Sequence, residues 1–291
     1  MIEKRRPGDR FDGRRLRSLH PVQKVSPYFM KHRQSAQNLI FDEIEIDEAE
    51  KYIRRKREEG YYRFGFMHAL VAAYVRTVSQ RPGINRFIAG QRVYARNDIE
   101  VVMTFKKEMT VEGEDSVIKV RFLPTDTAED VYLKFTAALE RAVSSEKGSD
   151  FERSVQRLAK LPGLVIKFCV WLLNFLDYFG LLPRSLIKLS PFHASFYITS
   201  MGSLGIPPVF HHLYDFGNIP IFCAFGAKKT RYELQKGGGF KQIKYIELAF
   251  VSDERIEDGY YFASALKIFK RYLKTPYTLD LPPESVTEDV E

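Results

Sequence analysis
At 291 residues, with 45% hydrophobic and 14% aromatic side chains, the chain has material for a sizeable core in one large domain or two small ones. Lys and Arg number 45 against 37 Asp and Glu, and the net charge of +8 favours anionic partners: a nucleotide-bearing cofactor, acidic lipid or nucleic acid. Only Cys169 and Cys223 are present, which excludes a disulfide framework and offers no metal-ligand spacing, so a reducing, cytoplasmic setting without a metal is expected.

Residues 1–34 hold ten Lys or Arg against three acids, and 1–27 read as an extended basic arm broken by Pro7, Gly8, Gly13, Pro21 and Pro27. Residues 1–15 are charged and lack the apolar core of a secretory signal. A domain is expected over 28–275, followed by an acidic tail over 276–291. Within it, Leu39, Phe41, Ile44 and Ile46 suggest a strand, Glu48–Glu59 a charged helix, and Phe64–Gln80 an apolar helix halted by Pro82-Gly83. The runs Arg92–Arg96, Ile99–Lys106 and Ser116–Phe122 are rich in β-formers and separated by turn residues, as in a meander. Pro124-Thr125-Asp126 reads as the cap of a helix to about Ser145, with Leu133, Phe135 and Leu139 facing inward.

The segment 150–190 stands out as an insertion. Its centre, Leu164–Phe179, would span roughly 24 Å as a helix, short of the ~30 Å hydrocarbon core of a bilayer. Lys167, Asn174 and Asp177 form a narrow polar stripe on it. Three situations are open: burial in the domain or at a subunit interface, peripheral membrane contact through 163–182 helped by the basic arm and Trp171, or a true span.

Further on, Ala194–Ser200 reads as a strand, and Ile219–Gly226 and Tyr245–Val251 as strands buried on both faces. Lys228, Lys229 and Arg231 lie between the last two, either as a soluble hairpin tip or as point charges for phosphates. Tyr260–Leu273 is the last helix, with Phe262, Ala265, Leu266, Phe269 and Leu273 on one face. Before it stands VSDERIEDGYYFA, where Asp253, Glu254, Glu257 and Asp258 crowd a strand-to-helix turn. Such acids can cap the helix through its dipole, or raise one another's pKa until one serves as a general base.

Residues 64–105, with their Pro-Gly-Ile-Asn turn, and residues 196–226 and 245–273 together resemble chloramphenicol acetyltransferases and the catalytic domains of dihydrolipoyl acyltransferases. Together with Leu39–Glu59 the likeness covers most of the chain, though not the basic arm or the 150–190 insertion. It implies an α/β (α+β) fold, a mixed β-sheet flanked by helices, assembled as homotrimers with coenzyme A as acyl donor and active sites between subunits. The family's signature is His-x-x-x-Asp-Gly. Aligned on Asp258-Gly259, the His position is Glu254, and the resemblance implies that residue as base, Asp258 as a salt-bridging anchor and Thr199 in FYITSMG as oxyanion donor. A carboxylate near pKa 4.3 in place of an imidazole near 6.5 gives up roughly 3 kcal/mol of proton affinity unless burial restores it. His211 and His212 offer a substitute base or plain packing histidines. Lys228, Lys229 and Arg231 would hold the coenzyme A phosphates. Only about forty residues precede the likeness, too few for a lipoyl domain, so no covalent lipoyl group is expected and the domain reads as free-standing. The alternative is a catalytically silent scaffold that binds a partner or membrane surface. Nucleic acid is not expected, because no stacking platform accompanies the arm.

Overall fold
The computed structural model describes residues 5–106, 110, 115–144 and 149–291. The first part runs β1 (Gly13–Arg15), α1 (Pro21–Phe29), β2 (Gln37–Glu45), α2 (Asp47–Glu58) and α3 (Phe66–Gln80), then the short strands β3 (Arg86–Ala89) and β4 (Arg92–Arg96). A hairpin of β5 (Ile99–Lys106) and β6 (Asp115–Phe122) leads to α4 (Ala128–Ser144). Three helices follow: α5 (Asp150–Ala159), α6 (Gly163–Tyr178) and α7 (Arg184–Leu189). After β7 (Phe196–Ser200) comes a long hairpin of β8 (Ile221–Leu234) and β9 (Phe240–Asp253), closed by α8 (Gly259–Lys274).

The main sheet has six strands in the order β2-β9-β8-β7-β5-β6, with β7 parallel to both β8 and β5 and the other pairs antiparallel. Alternation along each strand divides the side chains between two faces. Phe196, Ile198, Ile221, Cys223 and Leu248 face α2, α3, α4 and α8 and form the main core. Tyr197, Phe222, Val102 and Val251 face the other way and are covered by Leu213 and Ile219. Apolar side chains at helical spacing on α3 and α8 close the first face, about 25 cal/mol for each Å² of apolar surface withdrawn from water.

Several local expectations are corrected. The cap of α4 falls on Thr127, whose hydroxyl accepts the Asp130 N–H at 3.3 Å, while Asp126 turns back to the Leu123 N–H at 2.9 Å. The inner face of α4 is Ala128, Val131 and Phe135; Leu133 is exposed, because two residues from Val131 is about 200° around a helix. The expected end at Ser145 lies outside the described residues.

The stretch read as an extended arm carries β1 and α1, and β1 pairs with β4. Among its described cations Arg10 is buried, while Arg5, Arg6, Arg17 and Lys24 stay exposed. Arg10 is buried between Asp12 and Asp177, and Leu16 and Leu19 pack on Val93 and Ala95. The acidic end is likewise packed: Asp280 pairs with Lys56 and Arg55, Asp289 with Arg86, and the Glu291 carbonyl accepts the Arg17 and Ser18 N–H groups. Asp280 and Asp289 thus each meet a cation of the body.

Among the described residues no helix is long and apolar enough to cross a membrane, which removes the spanning reading of Leu164–Phe179. Nor is the helix packed into the domain. Of the residues of α6 only Asp177 is buried, while Leu164 is 84% and Trp171 56% exposed. Asp177 is therefore its anchor, bonded to Arg10 and within 3.5 Å of His193 Nε2. Burial on its own would raise this carboxyl, but hydrogen bonding and charge from His193 and Arg10 hold it down at about 2.

Candidate active site
The turn between β9 and α8 is built from ion pairs. The Asp253 carboxylate takes both Nε and Nη2 of Arg255, at 2.8 and 2.7 Å, and Arg255 Nη1 donates to the Met30 carbonyl at 2.9 Å. Glu254 is exposed, with its N–H bonded to the Ala36 carbonyl at 2.8 Å. Asp258 is the N-cap of α8, its Oδ1 accepting the Tyr261 N–H at 2.8 Å. The salt bridges come from its neighbours instead: Asp253 with Arg255, and Glu257 with Arg86.

Glu257 stands in an ion pair with Arg86. It is buried against Arg86, which also grips Asp289 through Nε at 2.8 Å, and burial pushes its carboxyl up to about 7 despite the Arg86 charge. Gly83 in the Pro-Gly-Ile-Asn turn must be glycine here, because a Cβ would lie 2.1 Å from Glu257 Oε1. Beside the turn is a cavity of about 150 Å³ lined by Asn38, Glu254, Asp258, Gly259 and Phe262. Glu257 escaped the sequence reading of individual roles. Its partners Arg86 and Asp289 are remote in the chain, and only the crowding of acids at the turn pointed to a raised pKa.

Thr199 lies elsewhere. Its register partners across the sheet are Ala224 on β8 and, through it, Ala249 on β9. Glu254 is five residues beyond Ala249, so along the strand direction the two are separated by roughly 17 Å at ~3.3 Å per residue. One chain does not bring Glu254 to Thr199.

His211 is on the Thr199 face of the same protomer. Tyr197 and Thr199 alternate onto one face of β7, and Tyr197 stacks on Phe222 at 4.5 Å. The His211 ring lies parallel on Phe222, centroids 4.2 Å apart at 4°. Burial lowers its pKa below the usual 6.5, against a hydrogen bond with the His212 backbone that works to raise it. His212 stacks on His211 at 5.4 Å, meets Tyr214 edge-on at 5.7 Å and is exposed. Thr104, bonded to the Tyr197 hydroxyl, adds a second hydroxyl to this face.

The cationic hairpin stands at the Thr199 end of the sheet: Lys228 is four residues past Ala224, on the order of 13 Å along β8. Its charges are engaged. Lys228 pairs with Glu50, Lys229 with Glu247, and Arg231 with Glu43 and Glu233. Among the described residues no group of His, Cys, Asp and Glu could hold a metal ion.

No protein-family model matches the chain, and no curated protein matches its sequence. Solved structures do match. A probable dihydrolipoamide acetyltransferase from Listeria monocytogenes superposes with a TM-score of 0.55 at 13% identity, over 89% of this chain and 95% of that one. A truncated catalytic core of the 2-oxoacid dehydrogenase multienzyme complex from Thermoplasma acidophilum gives 0.55 at 12% identity, over 90% and 98%. A chloramphenicol acetyltransferase gives 0.52 at 13%, over 87% and 96%. The fold implied by residues 64–105, 196–226 and 245–273 is the observed one: a mixed sheet flanked by helices, of the kind these acyltransferases share.

Proposed function
We propose that this chain transfers an acyl group from a coenzyme A thioester to a hydroxyl, thiol or amine acceptor, with His211 as base and Thr199 as oxyanion donor. The observation that carries the reading is the half-buried His211 ring, stacked on Phe222 on the sheet face to which Thr199 also projects. The imidazole takes the acceptor's proton as the acceptor attacks the thioester carbonyl. The Thr199 hydroxyl donates to the oxygen that gains charge. Collapse then breaks the C–S bond, and the departing thiolate recovers the proton from the imidazolium. A positioned base contributes about 10²–10⁴-fold, and an oxyanion donor roughly 3 kcal/mol. Lys228, Lys229 and Arg231 exchange their carboxylate partners for the phosphates of coenzyme A at the mouth of the sheet. The assembly is a homotrimer, in which Glu254 of one copy can reach the site of another.

The test is isothermal titration with coenzyme A, followed by acyl-coenzyme A consumption by wild type, His211→Ala and Glu254→Gln. The expected result is binding in all three and a fall of about 100-fold or more for His211→Ala alone. Loss confined to Glu254→Gln would transfer the role of base to Glu254, supplied across the trimer. No coenzyme A binding by the wild type would sink the enzyme and leave a catalytically silent scaffold.

A further inference from the structure
We propose that the apolar groove between α5, α6 and α7 binds a straight acyl chain of about eight to ten carbons, its carbonyl end directed past Phe192 and Tyr214 toward His211. The groove is walled by Phe151, Val155, Leu158, Val170, Leu173 and Leu186 and encloses about 250 Å³. An apolar cavity of ~150 Å³ takes one benzene ring, so this one has room for about eight to ten carbons.

The lining chemistry excludes a polar ligand. Its hydroxyls are already committed: Ser154 donates to the Asp150 carbonyl at 2.8 Å, and Ser190 accepts the Phe192 N–H at 3.2 Å and meets His193 Nδ1 at 2.8 Å. No charged side chain lines it. The ligand that suits such walls is a hydrocarbon chain.

The inner end of the groove gives the chain a direction. Phe192 and Phe216 line both the groove and the small cavity beside Tyr197, Leu213 and Phe222. Phe192 meets Tyr214 edge-on at 4.9 Å, and the Tyr214 ring is 6.1 Å from His211. Two aromatic rings thus separate the groove from the ring nitrogen proposed as base. The way α6 is attached also suits a groove that fills and empties. Its one buried residue is Asp177, near its end, so its apolar side chains are not used to hold it in place. The direction of the chain rests on the acyl-transfer reading; its binding does not.

The experiment is isothermal titration of the full chain with straight-chain carboxylates of four to twelve carbons, with coenzyme A titrated in parallel. Affinity is expected to rise about fourfold per methylene up to about eight to ten carbons, then level off. Leu173→Trp and Val155→Trp, which fill the groove from opposite walls, are expected to abolish the dependence on chain length and leave coenzyme A binding unchanged. Affinity independent of chain length, or a dependence that survives both substitutions, overturns the proposal. Flotation of the protein with phospholipid vesicles, without any dependence on carboxylate length, overturns it too and assigns α6 to a bilayer surface. Carboxylate binding without coenzyme A binding would sink the acyl-transfer reading and leave the groove.

Discussion

Glu257→Gln separates the charge of a buried carboxylate from its shape. In the folded chain this group titrates at about 7, raised by burial and by the neighbouring Asp289 and Asp258 charges, while an unfolded glutamate titrates near 4.3. A raised folded pKa stabilises the protein fully below the unfolded value, and that contribution is lost as pH rises through the folded value. The gap between the two values corresponds to about 3.7 kcal/mol in total, of which about 2.5 kcal/mol disappears between pH 5 and pH 8. Glutamine keeps the volume and does not ionise, so the wild type should lose stability relative to Glu257→Gln by about 2.5 kcal/mol across that interval. Urea unfolding followed by circular dichroism at pH 5 and pH 8 reads the difference directly. Opposing forces meet at this group, because Arg86 pairs with the same carboxylate. A stability difference that stays constant from pH 5 to pH 8 would mean that Arg86 keeps Glu257 ionised throughout, and the assignment of burial as the dominant force would fail.

Two further substitutions test the attachments around the site. Asp177→Asn removes the charge that Arg10 and His193 hold in place, and a broken buried pair costs about 3 kcal/mol, so amide exchange across 163–178 should accelerate. Unchanged exchange there would show that α6 is held by something other than this anchor. Asp258→Ala removes only a helix cap and should cost about 1 kcal/mol in urea unfolding; a loss nearer 4 kcal/mol would restore it as a salt-bridging residue.

The strands and helices of the main layer were legible because their side-chain periods are strong. Arg92–Arg96 and Ile99–Lys106 were read at their observed limits, and α8 within a residue at each end. Long-range polar partnerships were not legible. Nothing local marks Arg10, Asp12 and Asp177 as one buried cluster, and a charged, Pro-punctuated stretch looks like a solvated arm until its partners are in place. The acidic end failed to read for the same reason, since Asp289 and Asp280 meet their cations only after the chain has turned back. At the site, the sequence marked Thr199 and His211 as candidates, but the stacking of His211 on Phe222 was needed to place them on one face, and sheet register to separate Glu254 from Thr199 along the strands. The resemblance assigned Asp258 to a salt bridge, whereas here the neighbouring Asp253 and Glu257 make the ion pairs and leave Asp258 to cap α8.

The position of Trp171 has a practical consequence. It is the sole tryptophan of the sequence and lies exposed on α6, away from both faces of the main sheet. Its intrinsic fluorescence therefore reports on α6, where its ring stacks on Phe168 and Phe175. A blue shift in its emission marks the arrival of a bilayer or another subunit at this side of the helix, which does not line the groove. The protein carries a spectroscopic reporter at the one surface whose occupant most needs identifying.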